Sequence, residues 1–199
     1  METVLYNVFL GAISQDGDAF YYQNVLRTRN GEPKSRCKWF GVACCPPNVA
    51  KLLGNLGALI YSYQPSGVVA VHQYIGSVLR TQNGAIIRQK TNMPWDGRVS
   101  FAIQGKADLA LRIPHWAKDW TSSVSGELTK GYLYLYALED TEVELDFKIV
   151  PTQVYAHPKT NKDEDCISLG PPVYCLEDVD NPVVDIDHVA LPYDALVHV

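Results

Sequence analysis

The residues best suited to chemistry in this chain sit side by side. Cys44 and Cys45, followed by Pro46 and Pro47, fall within WFGVACCPPNVAKLLGNLG, residues 39–57. Successive side chains diverge on helices and strands alike, so adjacent thiols make poor core residues. Packing, a vicinal disulfide or chance are the plain readings. A metal ligand or a nucleophile is the chemical one, because the thiolate performs both tasks. The surroundings favour it. Proline is accommodated in the first turn of a helix, where its missing N–H is not needed. Val49, Leu52, Leu53, Leu56 and Ile60 then form an apolar stripe at helical spacing. The two thiols therefore precede a helix start, where the positive end of the dipole favours their ionised form.

The elements that must position this pair are unevenly distributed. Val4, Leu5, Val8, Phe9 and Ile13 predict a helix over Glu2–Ile13. DAFYYQNVL, residues 18–26, reads as a short extended stretch, and RTRNGEPKSR, residues 27–36, as a polar loop with an Asn-Gly turn. From Tyr61 onward the period changes. GVVAVHQYIG, NGAIIRQKTNM, GRVSFAIQG, DLALRIP, GYLYLYAL, TEVELDFKI and TQVYAHP are short runs rich in Val, Ile and Tyr, separated by Gly, Pro, Asn and Asp. Val99, Phe101 and Ile103 alternate with Arg98, Ser100 and Ala102, and Val143, Leu145 and Phe147 alternate with Glu142, Glu144 and Asp146. Period two with turns at about ten-residue spacing predicts an antiparallel β-sandwich of roughly seven to nine strands. ISLGPPVYCLED, residues 167–178, reads as one further strand before a Pro- and Asp-rich tail. Two amphipathic helices cannot enclose a core of their own, so they read as the end of something larger.

Composition sets outer limits. The chain has 199 residues, 47% of them hydrophobic and 20% charged, a globular balance that allows one domain or one domain with part of another. The net charge of -5 carries no basic cluster, so nucleic acid and anionic membrane are not expected partners. No apolar run is long enough for a transmembrane helix. The N-terminal METVLYNVFLGAIS lacks the basic start of a secretory signal, and a cytoplasmic location is the expectation. Five cysteines, Cys37, Cys44, Cys45, Cys166 and Cys175, are an odd number and predict reduced thiols rather than a disulfide framework. Cys166 and Cys175 stand singly in strand-like runs and are expected to be buried and inert.

WFGVACCPPNVAKLLGNLGALIYS resembles the end of the catalytic barrel of glycoside hydrolase family 127, the β-L-arabinofuranosidase-like proteins. METVLYNVFLGAISQDGDAFYYQNVL is similar to the preceding barrel region, and VHQYIGS, TNMPWDG, LRIPHWA, GYLYL, VYAHPK and GPPVYCLEDVDN are similar, in order, to its β-sandwich segments. The resemblance implies a mainly β chain: an antiparallel β-sandwich preceded by two helices that are the remnant of an (α/α)6 barrel. It divides the chain into a barrel remnant at 1–60, a sandwich at 61–158, and a final strand and tail at 159–199. It implies a retaining hydrolase that removes terminal β-L-arabinofuranose, with zinc held by three cysteines and a glutamate and a separate glutamate as acid/base. Cys44 matches the nucleophile, which is also a zinc ligand, and Cys45 matches the second thiolate of the pair. Terminal arabinofuranosides or related glycans are the implied partners.

The remainder of that constellation has no counterpart here. Only 43 residues precede Cys44, and their carboxylates, Glu2, Asp16, Asp18 and Glu32, form no Glu-x-Cys pair. Cys37 does not match the third thiolate ligand. The expectation is a C-terminal part of such an enzyme, inactive alone and without stably bound zinc. The alternative is a non-catalytic sandwich module used for packing, homodimer formation or glycan contact. Trp95, Trp116 and Trp120 could stack on a sugar, although packing is the commoner use of such residues. His72, His115 and His157 read as structural or surface residues, Asp96-Gly97 as a turn, and Glu177, Asp178 and Asp180 as a solvated or turn-forming run.

Overall fold

The computed structural model describes residues 1–23, 35–42, 46–160, 164–177 and 180–192. Alternating apolar residues from Tyr61 to Phe147 build a sandwich of two five-stranded sheets. The strands are β1 Tyr61–Tyr63, β2 Val69–Val71, β3 Ser77–Arg80, β4 Ile86–Thr91, β5 Arg98–Gln104, β6 Lys106–Arg112, β7 Trp120–Ser122, β8 Glu127–Thr129, β9 Tyr132–Glu139 and β10 Glu142–Phe147. One sheet runs β1-β2-β6-β9-β8 and the other β3-β4-β5-β10-β7. Pairing is antiparallel throughout except between β2 and β6. The sandwich thus exceeds the expected strand number, because β3, β7 and β8 are three- or four-residue strands at or beside sheet edges.

The core lies where the period-two pattern places it. Val99, Phe101, Ile103, Val143, Leu145 and Phe147 are buried together with Ile87 of the same sheet, and they meet Val69, Val71, Leu109, Leu111, Leu133 and Leu135 from across the sandwich. Tyr74 lies among them, 5.2 Å from the Phe147 ring, with its hydroxyl donating to the Arg112 carbonyl. Burial pushes the Tyr74 phenol far above its usual range. At Gly97 an added Cβ would stand 1.8 Å from the Phe147 carbonyl oxygen, so the β4–β5 turn closes against β10 with room only for glycine.

Two continuous segments pass from one sheet to the other at the same corner. β5 leaves the second sheet through Gly105, at φ 80°, and continues as β6 in the first. β9 returns through Asp140 and Thr141 to become β10. The Asp140 carboxylate accepts from the Gly105 N–H at 2.8 Å, and Ile103 and Thr141 exchange backbone bonds. Just inside this corner the β6–β9 register shifts between Ala107 and Leu109, opposite Ala137 at φ 55°. Such a bulge bends the strand and redirects its side chains.

A third sheet, β11 Pro151–Tyr155, β12 Asp165–Leu169 and β13 Val173–Tyr174, is also antiparallel. What reads from the sequence as one strand over 167–178 is a hairpin, because Gly170 at φ 66° and the following prolines turn the chain. The N-terminal helical segment, π-helical over Val4–Phe9, docks against this sheet. The Asn7 side chain donates to the Pro171 carbonyl and accepts from the Val173 N–H, doing for the segment what a strand partner would do. Helix α1, Pro46–Ile60, runs directly into β1.

Candidate functional site

Cys44 and Cys45 lie outside the described residues, and what can be described is the frame on either side of them. Downstream, α1 begins at Pro46, the residue that follows Cys45 in the chain, as the proline pair predicts. Its stripe Val49, Leu52, Leu56 and Leu59 is half-buried, Ile60 alone is fully buried, and Leu53 is exposed. Upstream, Phe20 and Cys37 exchange backbone hydrogen bonds, and Phe40 packs on Phe20 and Tyr22 at 5.3 and 5.1 Å. Arg36 donates to the Gly11 carbonyl and lies over the Tyr21 ring, and Lys38 pairs with Asp18 at 2.6 Å. That pairing draws the Asp18 carboxyl below, and the Lys38 ammonium above, its usual range.

Among the described residues no three His, Cys, Asp or Glu side chains converge. The exposed Cys37 thiol lies 3.9 Å from the Ser35 carbonyl. Asp18 is engaged by Lys38, Asp16 is exposed, and Glu32 lies outside the described residues. Glu2 is buried, but against an arginine and a tryptophan. The described residues therefore do not supply a four-ligand zinc set.

Glu2 belongs to a polar cluster that the sequence gives no means of finding, since its members are spread over more than a hundred positions. The carboxylate is 6% exposed. Its Oε2 accepts from Trp116 Nε1 at 3.0 Å, and its Oε1 lies 2.9 Å from Arg112 Nη2, within ion-pair distance but without the alignment of a hydrogen bond. Arg112 Nε donates to the His72 carbonyl. The His72 ring is held at both nitrogens, by the Tyr132 hydroxyl at 2.8 Å and the Ser62 hydroxyl at 2.7 Å. Burial first, and the Arg112 charge second, push the imidazole pKa below its ordinary value. His72 is thus a structural residue, as expected, within a cluster that fastens the N-terminal helical segment to the sandwich.

The remaining candidates separate in the same way. Trp116 packs edge-on against Phe147 at 5.8 Å, and Trp120 packs on the core, whereas Trp95 is 75% exposed. The three therefore do not form one platform. Asp96 accepts from the Arg98 backbone and side chain and closes a turn. The Glu177 carbonyl accepts from the Asp180 and Asn181 N–H groups, which is turn formation, and Asp178 lies outside the described residues. Cys166 is half-buried, but Cys175 is exposed beyond the end of β13, so the expectation of two buried thiols holds in part for one and fails for the other. Burial, with a neighbouring carboxylate, raises both thiol pKa values.

With the frame in view, comparison with known proteins is informative. Residues 1–58 match the family model described as the GH127 catalytic domain of β-L-arabinofuranosidase. Residues 68–148 match the GH127 middle domain of the same family. A non-reducing end β-L-arabinofuranosidase from Bifidobacterium longum subsp. longum is 32% identical over 209 aligned positions, covering 92% of this chain and 32% of that protein. The crystal structure of a GH127 β-L-arabinofuranosidase from Geobacillus stearothermophilus T6 superposes with a TM-score of 0.80 at 35% identity, over 91% of this chain and 33% of that one. A solved GH127 β-arabinofuranosidase gives a TM-score of 0.81 at 28% identity, over 90% and 33%. The chain spans about a third of the length of the relatives it matches.

Proposed function

This chain belongs to glycoside hydrolase family 127, the β-L-arabinofuranosidase-like proteins, and from that premise we propose that it carries the thiol half of a retaining site for terminal β-L-arabinofuranosides. Cys44 is the nucleophile and Cys45 the partner thiolate. The observation that carries this reading is the placement of the pair immediately before α1 in a segment matched by the family's catalytic-domain model.

The chemistry follows from that position. A free cysteine, with a pKa near 8.5, is only a few per cent thiolate at neutral pH. The start of α1 favours the anion through its aligned dipole. The Cys44 sulfur can then attack the anomeric carbon as the leaving oxygen takes a proton from a carboxylic acid on the opposite face. Water reverses the step, and the configuration is retained. Zinc, where bound through Cys44 and Cys45, would ionise both thiols outright. Among the described residues no three His, Cys, Asp or Glu side chains converge, and on this reading no turnover is expected of the chain by itself.

The test is zinc content and turnover of an aryl β-L-arabinofuranoside by the purified chain, with zinc supplied. The expected result is substoichiometric zinc and a rate no higher than that of Cys44→Ser. Stoichiometric zinc, with turnover abolished in Cys44→Ser, would mean that this chain holds a complete site and would overturn the half-site reading.

A further inference from the structure

Beside the corner formed by Gly105 and Asp140 the surface opens into a cleft of about 680 Å³. Two turns and two strand ends converge there: Tyr63 to Gly67 between β1 and β2, Thr81 to Asn83 between β3 and β4, the start of β6, and the end of β9. Every lining residue lies in the sandwich. Tyr136 is 57% exposed and stacks on Tyr134 at 6.2 Å with an interplanar angle of 23°. Tyr63, 44% exposed, lines the same cleft. Two large aromatic rings facing water beside a concavity are unusual on a sheet whose inner face buries its apolar residues so completely.

The same cleft is lined by polar groups, one of them held by the bulge. Asp108 Oδ1 accepts from the Ala137 N–H at 2.7 Å, which anchors the carboxylate and leaves Oδ2 without a hydrogen bond among the described residues. Lys106 and Glu139 face each other across the β6–β9 ladder at 3.4 Å, supplying a cationic donor and an anionic acceptor. Exposed tyrosine rings in a cleft that also holds an anchored carboxylate acceptor and a cationic donor suit a polyhydroxylated ring rather than an anion or an apolar ligand. A cavity on the outer face of the second sheet, walled by Asp96, Arg98, Glu144 and Asp146, is lined by no aromatic residue.

We propose that this cleft is a non-catalytic binding site for a pentose ring of an arabinofuranosyl oligosaccharide, stacked on Tyr136 and Tyr63 and hydrogen-bonded to Asp108, Lys106 and Glu139. The choice of pentose rests on the family reading. The cleft itself does not depend on Cys44.

The test is binding of methyl β-L-arabinofuranoside and of a β-L-arabinofuranosyl disaccharide to the full chain, followed by ligand-observed NMR titration in EDTA. Saturable binding is expected. It should weaken about tenfold in Tyr136→Ala and in Tyr63→Ala, persist in Tyr136→Phe, and be unchanged in Cys44→Ser. Near-UV circular dichroism checks that the alanine variants fold, and Tyr136→Phe tests the ring with minimal disturbance. Absence of saturable binding by the unsubstituted chain would overturn the proposal. So would binding that is indifferent to both tyrosines, or binding that is lost in Cys44→Ser, which would place the sugar at the thiols. A chain that binds through Tyr136 but shows no turnover supports the cleft whatever becomes of the hydrolase reading.

Discussion

At the scale of single residues, two buried polar groups carry measurable consequences. Glu2 holds Trp116 Nε1 and faces Arg112, whose side chain is 19% exposed. Removing one partner of such a pair leaves the other without its counter-charge at a cost of about 3 kcal/mol. Glu2→Ala is therefore expected to release the N-terminal segment, read as faster proteolysis within residues 11–23 while the sandwich keeps its far-UV spectrum. Equal proteolysis of both proteins would show that Glu2 does not fasten the segment. His72 has a folded pKa below its ordinary value. Between about pH 6.5 and that lower value the unfolded chain takes up the proton first, so stability is lost as pH falls through this window and His72 has no effect above it. The urea midpoint should drop on going from pH 7.5 to 5.5, and His72→Gln should reduce that drop. An identical drop in the variant would remove His72 as its source. The adjacent thiols were legible because their chemistry is written in neighbouring letters. The Glu2 cluster was not, because the fold alone brings residues 2, 72, 112, 116 and 132 together.

At the scale of elements, strands with one buried face declared themselves. β5 and β10 alternate as sheet geometry demands, and their apolar sides are buried. The short strands β3, β7 and β8 were not distinguishable from turns, because three or four half-exposed residues show no period. Nor could the sequence say that β5 and β6, separated by a single glycine, lie in different sheets, since that depends on how the Gly105–Asp140 corner bends. Helix α1 was legible at its start through the two prolines, and its stripe in part: Val49, Leu52, Leu56 and Ile60 lie on it, but Leu53 is exposed and Leu59 takes its place. The tightest element contact predicts its own sensitivity. Gly97→Ala must displace the Phe147 backbone, because the added Cβ would stand only 1.8 Å from its carbonyl oxygen. A loss of about 2–3 kcal/mol, read as a lower denaturant midpoint with unchanged slope, is expected. An unaffected midpoint would show that the β4–β5 turn yields freely.

At the scale of the whole molecule, the chain combines a segment matched by the family-127 catalytic-domain model with a sandwich matched by the middle-domain model, and spans about a third of its relatives' length. The half-covered stripe of α1 and the thiol pair before it are the features that this third would share with the remainder of such an enzyme. The most direct test joins this chain to the part of the Bifidobacterium longum relative that it does not match and measures release of L-arabinose from a terminal β-L-arabinofuranoside. The account predicts turnover by the joined protein, none by the isolated chain, and a loss of at least about a thousandfold on Cys44→Ser, the range seen when a catalytic nucleophile is removed. A joined protein that keeps its rate after Cys44→Ser would contradict the assignment of Cys44 as nucleophile.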